Sequence, residues 1–143
     1  DALIAAVAAV DPLSAHYLKR DVTGDGKPET WCNRFVTDVT SLLECPVPFK
    51  LANEQIRWLE GEGSASHGWR QVFPTSAFAL ANTGAPVVAA YLNPGGHGHI
   101  ALVVPTPEGE TGIYVAQAGS DNFACGPVGD GFGRLPVRYF AHA

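Results

Sequence analysis

The sequence predicts an α+β domain in which N-terminal helices pack on a C-terminal antiparallel β-sheet. Three observations predict it. Up to Gly84 apolar residues recur at helical spacing, beyond it come short β-rich runs, and 16 Gly and 11 Pro break both halves into short elements. At 143 residues the chain is expected to form one domain, 1–143, long enough to bury a core.

ALIAAVAAV, residues 2–10, reads as a buried helix, too short for a membrane span and without the basic flank of a signal peptide. Residues 13–19, beyond Asp11-Pro12, read as a second short helical piece. In TWCNRFVTDVTSLLE the apolar residues 32, 36, 39 and 43 share one helical face, with Thr30 as the expected N-cap. Further helices are expected from Asn53, as its cap, to about Glu60, and from Thr75 to about Asn82, stopped by Gly61 and Gly84. PVVAAYL, HIALVV, GIYVAQA and PVRYFAH, separated by Pro/Gly turns, are the expected strands.

The formal charge is −5, and the nine Lys and Arg form no cluster, which argues against nucleic-acid partners and a polybasic membrane anchor. No apolar run reaches the roughly 20 residues of a membrane span. Starting at Asp1 and lacking Met, the chain is expected to be a processed or excised form, with any export signal already gone. With three cysteines, at least one thiol stays outside any intramolecular bridge. Cys45 and Cys125 are either a disulfide pair, which leaves Cys32 free, or two separate buried thiols. No CxxC or HExxH spacing points to zinc.

Chemistry concentrates at Cys32 and in GHGHIALVVP, residues 96–105. Cys32 falls in the first turn of its helix, where the dipole and unpaired N–H groups favour thiolate; its other reading is a small apolar residue on the buried face. His99 opens its strand on the face of Ala101 and Val103. A hairpin turning at Glu108 would oppose Val104 to Gly112, Leu102 to Tyr114 and His99 to Gln117. The Gln117 amide could then accept the His99 ring N–H and set its tautomer, a Cys–His–amide arrangement. Asn122 and Asp121, just past that strand, are the rivals of Gln117. His97, Asn122 and Trp69, the last as an aromatic wall beside His67, are the candidate substrate contacts.

A helix-starting Cys in TWCNRFVTDV, a strand-starting His in GHIALVVP and a polar residue on the next strand in YVAQAG follow in that order. This layout resembles the papain-like peptidoglycan hydrolases of the NlpC/P60 and CHAP type, over roughly residues 20–123. The resemblance implies a papain-like fold and a cysteine amidohydrolase that cleaves an amide bond of the bacterial cell wall, either a stem-peptide link or N-acetylmuramoyl–L-alanine. It implies Cys32 as nucleophile, His99 as base and Gln117 as the residue that orients it. A secreted or periplasmic monomer of bacterial, phage or effector origin is expected, without an organic cofactor. The same triad would also serve an acyl transferase or protein deamidase, and a core Cys32 would fit a non-catalytic, calcium-dependent wall-binding module.

DVTGDGKPETWC carries oxygen donors at Asp21, Thr23 and Asp25, a glycine at 26, then the Lys27 carbonyl and the Glu29 carboxylate. This follows the first half of an EF-hand loop, but Cys32 stands where the bidentate Glu belongs. A structural Ca²⁺ is one expectation, supported by calcium sites near the catalytic Cys in some CHAP-like enzymes; an Asx-rich turn leading into the helix is the other.

Overall fold

The computed structural model describes residues 1–26 and 30–142. In chain order these form α1 (Ala2–Val10), a 3₁₀ turn (Ala15–Tyr17), α2 (Cys32–Leu42), α3 (Ala52–Glu60), α4 (Glu62–Ser66), β1 (Trp69–Val72) and α5 (Pro74–Asn82). There follow β2 (Val87–Tyr91), β3 (His99–Val104), β4 (Tyr114–Gln117), β5 (Phe123–Pro127), α6 (Val128–Phe132) and β6 (Arg138–His142). The six strands make one antiparallel sheet in the order β1-β6-β2-β3-β4-β5. The α+β class is as the sequence predicts.

The sheet is covered on both sides. Ile100, Leu102, Val104, Ala116 and Ala118 face Leu3, Ala6 and Val7 of α1, Phe35, Val36 and Val39 of α2, and Ile56 and Leu59 of α3. Ala101, Val103 and Val115 face Ala77 and Ala81 of α5 and Phe132 of α6. Two-sided burial explains why HIALVV is a continuous apolar run and does not alternate. The second layer of helices lies behind the sheet, an arrangement that one set of N-terminal helices does not predict. No helix among the described residues is long and apolar enough to cross a membrane.

Several boundaries differ from expectation. α1 buries only one face, with Ile4 exposed. The piece at 13–19 shrinks to the 3₁₀ turn, capped by the Ser14 hydroxyl. Trp31, not Thr30, precedes α2, with no side-chain cap. α3 starts at Ala52, and the Glu54 carboxylate accepts the Leu51 N–H at 3.3 Å; Asn53 is thus inside the helix. α4, α6, β1 and β5 carry too little periodic signal to be expected, being four or five residues each. β1 and β5 are the two edges of the sheet, where less burial is needed and Pro127 can end a strand.

The β3–β4 register is the correction that matters most. The pairs are Leu102↔Ala116, Val103↔Val115 and Val104↔Tyr114, so each β3 residue meets a partner two residues further on than a turn at Glu108 predicts. The chain reverses at Pro107–Glu110, where Glu110 N–H reaches the Pro107 carbonyl and Gly109 takes φ +83°. Gly112 adds a second positive φ, +86°. A shift of two keeps every side chain on its predicted face, because strand side chains alternate with period two. His99 and Gln117 therefore still share a side of the sheet, as diagonal neighbours.

Candidate active site

Cys32 is the first residue of α2, and the apolar face behind it holds the helix against β3. The buried amide of Gln55 locks this end, donating to the Asn33 and Pro48 carbonyls at 3.0 and 2.9 Å. Arg20 lies over the Trp31 ring, 4.8 Å from its centroid. Only 5% of Cys32 is exposed. Burial pushes its thiol pKa above the ordinary value, while the backbone N–H groups of Ile100, Asn33 and Cys32 itself act in the opposite direction. Removal from water therefore works against the helix end that was expected to favour thiolate.

His99 stands at the start of β3, and the Ile100 N–H directed at the sulfur belongs to the peptide that follows it. Its Nε2 is 2.8 Å from Gln117 Oε1. The amide nitrogen of Gln117 donates to the Asp121 carbonyl at 2.9 Å. A carbonyl only accepts, so Gln117 must present its oxygen to the ring and His99 must carry its proton on Nε2. Nδ1 is left as the basic nitrogen. Phe132 of α6 covers the imidazole, ring centroids 4.6 Å apart. Burial lowers the His99 pKa below 6.5, and the Gln117 hydrogen bond opposes this only in part. Burial thus disfavours the charged form of both groups. No hydrogen bond joins them among the described residues; such contacts commonly tighten only when substrate closes the site.

Cys32, His99 and Gln117 line one cleft of about 890 Å³, together with residues of α2 and α3 and with Gly119, Asp121 and Asp130. The loop before His99 is tied down by Asn53, whose side chain donates to the Asn93 and Gly96 carbonyls and accepts the Asn93 N–H. Gly98 fits there because it has no side chain: a Cβ would lie 2.3 Å from Asn53 Oδ1 and 2.7 Å from the Tyr91 carbonyl. The glycines around His97 and His99 thus let a helix side chain and a strand carbonyl grip the loop.

No family model matches the chain, and no curated protein matches it.

Of the remaining residues singled out by sequence, His97 is exposed at the cleft. Trp69 is not there. It is 2% exposed on β1 and, with His67, Trp58 and Cys45, lines a separate pocket. Asn122 is a tie between segments: its oxygen accepts the Gly119 N–H at 2.8 Å, and its nitrogen donates to the Pro12 and Tyr17 carbonyls. Gln117, not Asn122, touches His99. The thiols of Cys32, Cys45 and Cys125 are all free, Cys45 being buried and Cys125 exposed, so the suggested disulfide is not formed.

Asp21 closes its own turn. One carboxylate oxygen accepts the Thr23 and Gly24 N–H groups and the other that of Gly26, which holds its pKa below the usual value. Asp25 lines the cleft, whereas Lys27 and Glu29 lie outside the described residues. The Asx-turn reading therefore has its hydrogen bonds in place; a calcium ion would share an already engaged carboxylate. Sequence reasoning missed Asn53, which looked like a helix cap, and Phe132, which lies in the glycine-rich run 126–133.

Proposed function

We propose that the protein is a cysteine amidohydrolase acting on an amide bond of peptidoglycan. The observation that carries the chemistry is the oriented His99–Gln117 pair opening into the same cleft as a cysteine at a helix N-terminus. Cys32 Sγ attacks the substrate carbonyl while His99 Nδ1 takes the thiol proton, so nucleophile and base are activated together and not stored as an ion pair. The Cys32 N–H, at the start of α2, is the available donor for the developing oxyanion. His99 then returns the proton to the leaving amine, and water activated by the same nitrogen hydrolyses the thioester. The peptidoglycan substrate, an exported monomeric state and a papain-like relationship rest on the sequence resemblance.

One observation favours a second reading. Cys32 belongs to the buried apolar cluster, as it would in a non-catalytic wall-binding module. Digestion of purified peptidoglycan, with fragments read by mass spectrometry, separates the two. The wild type should release new amino termini, and Cys32→Ala, which keeps the packed face, should fold and release none. Equal release by Cys32→Ala would refute the mechanism.

A further inference from the structure

We propose that α6 is the element that aims the base, with Gly131 and Phe132 as its positioning residues; the inference rests on His99 acting as base. Gly131 lies against the Gln117 amide so closely that a Cβ there would be 2.1 Å from Oε1 and 2.9 Å from the amide carbon. Phe132, 2% exposed, fills the space behind the imidazole. The Gln117 amide is thus held from two directions, by the Asp121 carbonyl on its nitrogen and by the α6 backbone against its oxygen.

α6 is itself fixed. Its first N–H, from Val128, reaches the Ile113 carbonyl at 2.9 Å just before β4. Its last turn closes with the Gly133 N–H on the Gly129 carbonyl at 2.8 Å, and Gly133 turns away at φ +58°. A short helix pinned beside the strand that bears Gln117 limits how far a side chain of that strand can move. Gly119 completes the enclosure: a Cβ there would lie 3.1 Å from His99 Cε1.

Gly129 and Gly131 offer an internal control. Neither has a positive φ, so alanine strains neither backbone, and a Cβ at Gly129 meets nothing within 4 Å. Gly129→Ala should leave activity at the wild-type level. Gly131→Ala must push Oε1 back by roughly 1 Å, a displacement able to lower a catalysed rate by about 10²-fold. The fall should appear in kcat with KM little changed. In a Gln117→Ala background the added methyl has no amide to displace, so Gly131→Ala should cost nothing further. The ¹H–¹⁵N correlation of the His99 ring supplies a readout independent of turnover: a single Nε2–H tautomer in the wild type, mixed in Gly131→Ala. Should Gly131→Ala fail to fold, Phe132→Leu keeps the apolar packing and should also mix the tautomers. Wild-type kcat and an unmixed tautomer in Gly131→Ala, an equal loss with and without Gln117, or an unmixed tautomer in Phe132→Leu would each overturn the inference. A wild type with no thiol-dependent hydrolysis, but with the tautomer changes as stated, would refute the catalytic reading and leave the positioning role supported.

Discussion

Gln117→Glu places a carboxylate where the amide oxygen now sits 2.8 Å from His99 Nε2. With charge centres about 4 Å apart and an effective dielectric near 20, the attraction for imidazolium is roughly 4 kcal/mol, or about 3 pH units. Two effects oppose it: position 117 is only 2% exposed, and the Asp121 carbonyl would face an acceptor in place of its donor. Both raise the pKa of the new carboxyl group and so reduce the rise at His99 without reversing it. In the wild type the base must be unprotonated, and burial holds its pKa below 6.5. Wild-type kcat/KM should therefore persist below pH 6.5 and fall only as pH drops through the lowered value. In the variant the acid limb should move upward, so activity is lost near neutral pH and recovers in mild alkali. Asp25, Asp121 and Asp130 also line the cleft, exposed to solvent where salt screens them. Amine release from peptidoglycan between about pH 5 and 9 gives the profile, and NMR titration of His99 gives the same shift without turnover. An unmoved acid limb and an unmoved titration would refute the claim that Gln117 contacts the catalytic imidazole.

Asn122→Ala removes two hydrogen bonds from the β4–β5 loop to the N-terminal segment and one within the loop itself. It should destabilise the fold by about 2 kcal/mol while kcat below the melting transition stays near wild type; a collapse of kcat without loss of stability would place Asn122 in the chemistry. Gly98→Ala drives a methyl into Asn53 and the Tyr91 carbonyl. The expected loss is about 2 kcal/mol, or roughly 6 °C in Tm, together with activity; an unchanged thermal melt contradicts the close approach. If the 21–29 loop holds calcium, EGTA should lower Tm and activity, added calcium should restore both, and Asp21→Ala with Asp25→Ala should abolish the response. A protein indifferent to EGTA, with no ion found by elemental analysis, leaves Asp21 as the cap of its turn.

The sequence by itself determined the class of the fold and the faces of its elements. Period-3.6 and period-2 patterns depend on which side of each element is buried, and that is written locally: residues 32, 36 and 39 of α2 do lie inward, and HIALVV is a strand. The same periodicity brought His99 and Gln117 to one side of the sheet even though the turn was misplaced, since a two-residue shift does not change a side chain's face.

Only the tertiary structure decided the state and surroundings of the site. Whether Cys32 rests as thiol or thiolate depends on burial against helix-end electrostatics, and that balance is set once α2 packs on β3, whose Ile100 N–H acts on the sulfur. Asn53 reads as a cap until its contact with Asn93, forty residues away, is seen. Trp69 reads as a cleft wall until β1 pairs with β6 and carries it elsewhere. The roles of Asn53, Trp69 and Phe132 are set by contacts distant in the chain, made only when the sheet closes and α6 folds behind it. Local propensity carries no record of such contacts, whereas burial periodicity is repeated in every turn and every second strand residue.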